Sequence, residues 1–416
     1  MPMTRKAAVL AVGLAVALVA GTAAVSRSEP EPTLGAASGF SPGGDFPLLS
    51  QEDLERDLEA AASTGARWVR VDFAWSNVER VPGAYDWSDV DRVTAAVDAV
   101  GMEVLALPAY TPEWARPPGC TSNKCAPREA ADFARFVAEA ARRYGPDKVL
   151  AWELWNEPNI PAFWKPAPDV EAYAKLLRTS AAALKQVRPD AMVLSAGLSP
   201  AFSDGTSVAP VEFVERLYSL GALEQVDAVA VHPYSATSLP LTPGTERWNT
   251  FLQMEQVHDV MTEHGDGDKP VWGTEFGVAT GNDPRATSER QQAAIVAQGL
   301  ERLRDRTWPW FEVLLAYSLR DTADDPDDWQ SGFGLLRHDG SRKPAFDTFA
   351  RAMRQPLEQL PSSRSTALPI SAADVTAGAT AWRRVSRRGR GLEVPGAPAE
   401  RDADPLRATS PARWFA

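Results

Sequence analysis

The most informative segment of the chain is Trp152-Glu153-Leu154-Trp155-Asn156-Glu157-Pro158-Asn159. The apolar residues 149–152 before Glu153 are typical of a buried strand, and Pro158 marks the loop that follows. Glu157 therefore comes where a strand gives way to a loop, and Asn156 beside it can donate an amide N–H. In parallel barrels the carboxyl-terminal strand ends carry the reactive side chains. The segment predicts a strand whose end presents Asn156 and Glu157 to a pocket.

Short apolar runs alternate with longer amphipathic stretches on both sides of this segment. The predicted strands are eight, near 36–40 and at 68–73, 103–107, 149–154, 192–196, 228–231, 271–274 and 312–317. The predicted helices occupy 54–63, 90–100, 130–144, 170–187, 210–220, 251–264, 288–304 and 345–354. Eight strands each followed by a helix predict the α/β class, a (β/α)8 TIM barrel that forms one catalytic domain over 35–355. No Gly-x-Gly-x-x-Gly turn follows a strand, which argues against a dinucleotide-binding fold.

Both ends of the chain differ from this pattern. Arg5 and Lys6 precede an apolar run over 7–20 and a group of small residues, so residues 1–25 are predicted to be a signal peptide or an uncleaved N-terminal anchor. Either alternative predicts a secreted or extracytoplasmic protein. A polar linker is predicted over 26–34, and the Pro-, Ser- and Arg-rich residues 356–416 are predicted to be a disordered tail.

The charge and composition limit the partners. The formal net charge of −12 disfavours nucleic acid, and contact with a membrane is expected only if the N-terminal segment stays uncleaved. The chain contains 14 Trp residues, and Trp is a common platform for sugar rings. Most of these Trp residues are expected in the core and some in a cleft, where they would suit a polysaccharide or oligosaccharide partner. The protein is also expected to be a monomer.

The two cysteines, Cys120 and Cys125, are separated by four residues. In an exported protein such a pair predicts a disulfide that closes a small loop. Metal binding is the competing interpretation, but two thiolates need further ligands and no His lies nearby in the sequence.

A second carboxylate signal is Val271-Trp272-Gly273-Thr274-Glu275-Phe276-Gly277, at the end of the seventh predicted strand. Glu275 and Glu157 are therefore expected at the same mouth of the barrel. Cleavage of a glycosidic bond needs two carboxyl groups, one that protonates the leaving oxygen and one that attacks the anomeric carbon or activates water. The pair predicts a glycosidase.

The two segments resemble those of clan A glycoside hydrolases, which include the family 5 cellulases and mannanases and the family 39 xylosidases. The resemblance covers about residues 35–355. It implies that Glu157 is the acid/base, that Asn156 binds the sugar 2-hydroxyl, and that Glu275 is the nucleophile. Arg70 also matches the clan, because it resembles the arginine that braces the nucleophile. In His232-Pro233-Tyr234, Tyr234 would bond to Glu275 and His232 would bind sugar.

Aromatic residues in the predicted loops are candidates for stacking on sugar rings. They are Trp75, Trp114, Trp164 and Trp248. The eighth strand departs from the clan pattern, because many relatives have a Trp platform near its end where this chain has Tyr317 and Arg320. Tyr317 is predicted to replace that platform, and Arg320 to meet a charged sugar.

The predicted reaction is a retaining double displacement that hydrolyses O-glycosidic bonds. Glu275 attacks the anomeric carbon, and Glu157 protonates the leaving oxygen and then deprotonates water. The two carboxyl groups should lie about 5–5.5 Å apart. No metal or organic cofactor is expected. A transglycosidase and a non-catalytic carbohydrate-binding barrel in cell-surface polysaccharide assembly remain as alternatives.

Overall fold

The computed structural model describes residues 32–358, which form a barrel of eight parallel strands. The strands are β1 (Ser38–Phe40), β2 (Trp68–Ala74), β3 (Glu103–Ala109), β4 (Val149–Glu153), β5 (Met192–Leu194), β6 (Val229–Val231), β7 (Val271–Phe276) and β8 (Phe311–Ala316). Each lies at a position that the apolar runs predict, with ends that differ by a few residues. The predicted (β/α)8 barrel is therefore confirmed.

The barrel is nearly closed, with one weaker junction. Continuous ladders connect the strands in the order β5-β4-β3-β2-β1-β8-β7-β6. The remaining junction, between β5 and β6, is made by a parallel bridge between Leu194 and Ala228 and by the Asp227 N–H, which donates to the Val193 carbonyl at 2.8 Å. Closure brings the carboxyl ends of all eight strands to one mouth.

Helices follow the strands around the outside. They are α1 (Gln51–Ser63), α2 (Trp75–Val78), α3 (Ser88–Ala99), α4 (Ala130–Arg143), α5 (Val170–Val187), α6 (Pro210–Ser219), α7 (Thr250–Glu263), α8 (Glu289–Arg304) and α9 (Pro344–Met353). Side chains cap several helix starts: Ser50 accepts from the Asp53 N–H, and Ser288 from the Gln291 N–H. Pro210 and Pro344 occupy the first helical positions, where a missing N–H costs nothing. The periodicity did not predict α2, which has only four residues.

The alternation along β2 shows how the sequence divides the core. Val69, Val71 and Phe73 belong to the large outer layer between strands and helices. Trp68 faces the barrel axis, where an inner layer is completed by Leu105, Ala151, Leu194, Ala228, Ala230, Trp272, Val313 and Leu315. The inner layer fills the bottom of the barrel, so the polar residues further along each strand are carried to the mouth.

The predictions for both chain ends lie outside the described residues. These are the signal peptide or anchor over 1–25, most of the linker over 26–34, and the tail over 356–416 apart from its first three residues. Within residues 32–358, none of the helices combines the length and the apolar character that crossing a bilayer requires.

Candidate active site

The segment that ends β4 turns sharply into the mouth of the barrel. Trp155 has φ 79° and Glu157 has φ 44°, so two non-glycine residues adopt left-handed backbone conformations within three positions. Such conformations are unfavourable and occur where the surrounding structure enforces them, often at active sites. Here the Glu157 N–H donates to the Gly197 carbonyl at 3.1 Å. The turn directs the carboxyl group of Glu157 into the pocket.

Glu275 extends from the end of β7 and receives two side-chain hydrogen bonds. Arg70 Nη1 donates to Oε1 at 2.6 Å, and the Tyr234 hydroxyl donates to Oε2 at 2.9 Å. The two donors fix the position of both carboxyl oxygens, which suits a group that must attack a carbon atom in one orientation. The structure thus brings together Arg70, Tyr234 and Glu275 as the clan resemblance implies.

Arg70 is the hub of the site and is almost fully buried. Its Nε and Nη2 donate to the two oxygens of Glu153 at 2.9 and 2.8 Å, and Nη2 also donates to Asn156 Oδ1 at 2.8 Å. Because Oδ1 is occupied, the amide nitrogen of Asn156 is left to face the pocket that this residue lines. Glu153 has no solvent exposure and serves as the counter-ion that holds Arg70. Sequence reasoning gave Glu153 no such role.

His232 lies behind the acid/base candidate and is fully buried. Its Nδ1 is 2.7 Å from Glu157 Oε1 and 3.6 Å from Glu275 Oε2. The prediction that His232 binds sugar is wrong, since its ring contacts the two glutamates and does not line the pocket. Gly197 makes this packing possible, because a Cβ there would lie 2.2 Å from His232 Nε2.

The environment shifts the proton equilibria of this pair. Burial raises the pKa of Glu157, and the Glu275 carboxylate raises it further, although the hydrogen bond and charge of His232 act in the opposite direction. Burial alone would lower the pKa of His232, but the nearby carboxylates of Glu275 and Glu157 outweigh burial and raise the pKa. Glu157 therefore keeps its proton to a higher pH than an exposed glutamate, as a general acid must.

The two carboxyl groups are close together. One oxygen of Glu157 and one of Glu275 lie within 4.8 Å of each other. Retaining glycosidases hold these groups about 5–5.5 Å apart, whereas inverting enzymes leave about 6.5–9.5 Å for a water molecule. An oxygen–oxygen approach within 4.8 Å is on the retaining side of these ranges.

Within residues 32–358, Glu157, His232 and Glu275 also form the one group of side chains that could hold a metal ion. Their donor atoms are engaged otherwise: His232 Nδ1 lies against Glu157, and both oxygens of Glu275 accept hydrogen bonds. This arrangement favours proton transfer and nucleophilic attack over metal binding.

The site opens into a pocket of about 540 Å³. Its walls include the predicted residues Arg70, Asn156, Glu157, Tyr234, Glu275 and Tyr317. Sequence reasoning missed other wall residues, among them Asp72, Tyr110, Asn123, Lys124, Phe163, Trp329 and Phe333. Asp72 carried a usable signal, because it follows Arg70 by two positions on β2 and therefore faces the same side.

The predicted tryptophan platforms are corrected by the structure. Trp75 and Trp164 are buried in the outer core, where Trp75 Nε1 donates to Glu79 and Trp164 packs edge-on to Trp155. Trp114 packs edge-on to Trp75 at 5.5 Å, and the half-buried Trp248 lies outside the pocket walls. Tertiary packing, which local sequence does not encode, gives Trp75, Trp114 and Trp164 structural positions, whereas Trp248 is simply not part of the pocket wall.

Residues near the end of β8 divide between two environments. Tyr317 lies on the pocket wall, edge-on to Tyr234, so the structure is compatible with its predicted platform role. Arg320 is bonded to Asp57 of α1, away from the pocket, and the prediction that it meets a charged sugar is wrong.

The predicted disulfide between Cys120 and Cys125 is present, with the Cα atoms 6.3 Å apart.

Replacing Arg70 with methionine is expected to destabilise the fold by about 3–5 kcal/mol, because the buried Glu153 carboxylate would lose its counter-ion. Urea unfolding measures this loss. Arg67→Met is the matched control, since the half-exposed Arg67–Glu103 pair should contribute only about 0–1 kcal/mol. Equal losses for the two variants would contradict the hub role of Arg70.

Replacing His232 with glutamine is expected to shift the pH dependence of activity. Glu157 would lose a neighbour that lowers its pKa, so its acid form would persist to higher pH and the alkaline limb of kcat/KM would move upward. Initial rates across a pH series measure the shift. His264→Gln, at an exposed histidine paired with Glu215, should leave the profile unchanged. A shift to lower pH for His232→Gln would contradict the assigned contact.

A parallel barrel with two facing carboxyl groups in a pocket at its carboxyl-terminal mouth is the architecture of clan A glycoside hydrolases. The family model "Glycosyl hydrolases family 39" matches residues 123–385. That match covers well over half of the chain, and the chain belongs to this family.

Known proteins agree with that assignment. A beta-xylosidase of Geobacillus stearothermophilus is 31% identical over 129 residues, which are 30% of this chain and 24% of that protein. The match thus spans about a quarter of the relative's length. A family 39 glycoside hydrolase from Bacteroides cellulosilyticus WH2 superimposes with a TM-score of 0.62 and 24% identity, covering 78% of this chain and 64% of the other. A monomeric beta-xylosidase from Caulobacter crescentus CB15 gives a TM-score of 0.61 and 21% identity over 78% and 69% of the chains. At these identities the structural matches establish the shared fold.

Proposed function

We propose that this protein is a retaining glycoside hydrolase that cleaves O-glycosidic bonds of an oligosaccharide or polysaccharide. The observation that carries the proposal is the approach of Glu157 and Glu275 to within 4.8 Å at the mouth of the barrel. The environment of each group suits a different duty. Glu157 is buried with a raised pKa, while Glu275 receives hydrogen bonds from Arg70 and Tyr234.

The reaction follows from these positions. Glu275 Oε attacks the anomeric carbon as the bond to the leaving oxygen breaks, and Glu157 donates its proton to that oxygen. Glu157, now ionised, takes a proton from an entering water molecule, whose oxygen attacks the same carbon and releases Glu275. Asn156 is placed to donate a hydrogen bond to a sugar hydroxyl during both steps. Arg70 and Tyr234 hold the nucleophile in place throughout.

The proposed substrate class is a β-xyloside, because two proteins similar to this chain are named beta-xylosidases. Hydrolysis of 4-nitrophenyl β-D-xylopyranoside, alongside the corresponding glucoside, mannoside and N-acetylglucosaminide, tests the proposal. Proton NMR of the first product should show the β anomer of the released sugar. Absence of hydrolysis across this panel and a set of plant and bacterial polysaccharides would overturn it in favour of a carbohydrate-binding barrel.

We also propose that the protein acts outside the cytoplasm as a monomer. The Arg5–Lys6 pair before an apolar run and the disulfide between Cys120 and Cys125 support an oxidising compartment. Cell fractionation tests the location, and light scattering of the purified protein tests the oligomeric state. Activity confined to the cytoplasm would contradict the proposed location. A stable dimer would contradict the proposed monomer.

A further inference from the structure

The disulfide-closed loop 120–125 forms one wall of the catalytic pocket. Its residues Asn123 and Lys124 line the pocket together with Glu157. The loop is attached on two sides: the Thr111 N–H donates to the Asn123 carbonyl at 2.8 Å, and the Lys165 N–H donates to the Lys124 carbonyl at 2.9 Å. The disulfide and these hydrogen bonds fix the backbone of Lys124, whose positively charged side chain lines the pocket.

The Lys124 ammonium is held by aromatic rings. Its Nζ lies 3.1 Å from the ring centroid of Tyr110 and 4.8 Å from that of Phe163. Burial lowers the pKa of Lys124 to about 8, although the charges of Asp72 and Glu157 act to raise it. A cation–π contact holds an ammonium group without using all of its N–H donors, so Lys124 can still donate a hydrogen bond into the pocket.

Asp72 supplies the complementary group. It lines the same pocket, and burial raises its pKa while the charges of Arg70 and Lys124 lower it. Within residues 32–358, neither the Asp72 carboxyl nor the Lys124 ammonium forms an ion pair. Each group lies near enough for its charge to affect the other, and both line the pocket, so a molecule in the pocket can meet an acceptor at Asp72 and a donor at Lys124.

The charges of the pocket wall restrict what that molecule can be. Four carboxyl groups, Asp45, Asp72, Glu157 and Glu275, face two cations. One of the cations, Arg70, is already committed to Glu153 and Glu275. An anionic sugar would meet an excess of negative charge, whereas neutral hydroxyls can donate to Asp72 and accept from Lys124.

We propose that Lys124 and Asp72 form a clamp that recognises adjacent hydroxyl groups of a neutral pyranose, with the Cys120–Cys125 loop holding Lys124 in position. The inference rests on the proposed glycosidase function and names the specificity residues of the same pocket. The clamp acts on binding, so removal of either residue should raise KM much more than it lowers kcat.

The test compares Lys124→Met, Asp72→Asn and the double variant Cys120→Ser/Cys125→Ser with the wild-type protein on 4-nitrophenyl β-D-xylopyranoside. Each clamp variant should raise KM by roughly 10- to 100-fold, the loss that follows from a hydrogen bond to a charged group. The double cysteine variant should also raise KM. Lys148→Met is the matched control, because Lys148 pairs with Asp98 outside the pocket, and it should leave KM unchanged.

Deoxy substrates identify the contact itself. Replacing the 3- or 4-hydroxyl with hydrogen should weaken wild-type activity but should add no further loss in the variant that lacks the partner of that hydroxyl. If the loss of activity from each missing hydroxyl and the loss from each substitution simply add in every combination, the clamp is overturned. Lys124→Met that spares the xyloside but abolishes hydrolysis of 4-nitrophenyl β-D-glucuronide would overturn it in favour of an anion site.

A binding measurement tests the clamp independently of catalysis. Titration calorimetry with methyl β-D-xylopyranoside is carried out on the wild type and on the same variants, without any turnover. Wild-type binding that is lost in Lys124→Met and Asp72→Asn would support the clamp even if no glycoside is hydrolysed. Equal binding by all proteins, or none by the wild type, would overturn the clamp.

Discussion

Replacing Glu275 with alanine is expected to lower kcat/KM for an aryl glycoside on the order of 10⁴-fold or more. Glu275 is the group that forms the covalent bond in a double displacement, and Arg70 and Tyr234 hold its carboxylate oxygens in the pocket. The loss should therefore occur for good and poor leaving groups alike. Stopped assays with substrates of different leaving-group pKa measure it.

Glu301→Ala serves as the matched control for this variant. Glu301 is exposed on α8, where it pairs with Arg304, and its removal should leave kcat/KM unchanged. The thermal unfolding midpoint of Glu275→Ala should show that the protein is folded at the assay temperature. A folded Glu275→Ala variant that retains substantial hydrolysis would contradict the assignment of the nucleophile.

Replacing Glu157 with alanine is expected to lower kcat/KM by about 10²–10⁴-fold for substrates with poor leaving groups, because the departing oxygen would leave without a proton. Glycosides with acidic phenols as leaving groups need little protonation, so their first step should be affected far less. The alkaline limb of the pH profile, which arises from ionisation of Glu157, should disappear.

Added azide gives this variant an internal control. A small anionic nucleophile can enter the space that the Glu157 side chain occupied and attack the glycosyl-enzyme without base assistance, so azide should restore turnover of activated substrates and yield a glycosyl azide. The same addition to Glu275→Ala should not restore the retaining reaction. If azide rescued neither variant, or if the pH profile of Glu157→Ala kept its alkaline limb, the acid/base assignment would be wrong.

The sequence was sufficient to predict the barrel and the position of both glutamates, since these depend on local patterns. Apolar runs of strand length mark β4 and β7, and each glutamate stands where its run ends. The carboxyl ends of parallel strands meet at one mouth whatever the loops do. The proximity of Glu157 and Glu275 therefore follows from topology.

The walls of the pocket could not be predicted in the same way. Trp75 and Trp164 stand in sequence where a sugar platform is plausible, but helix packing buries both of them. Lys124 lies in the pocket wall on a loop that is bonded to Thr111 and Lys165, and neither partner is marked by a local sequence pattern. His232 was expected to contact sugar, yet Gly197 lets its ring pack behind Glu157. Each of these outcomes depends on tertiary contacts between separate elements, for which the chain carries no periodic signal.

The covalent glycosyl-enzyme that Glu275 is proposed to form can be detected by mass spectrometry. The protein is incubated with the 2-deoxy-2-fluoro form of the aryl glycoside that it hydrolyses best, digested with a protease, and its peptides are sequenced. One added fluorosugar is expected, attached to the Glu275 side chain. A label on Glu157 or on any other residue would contradict it.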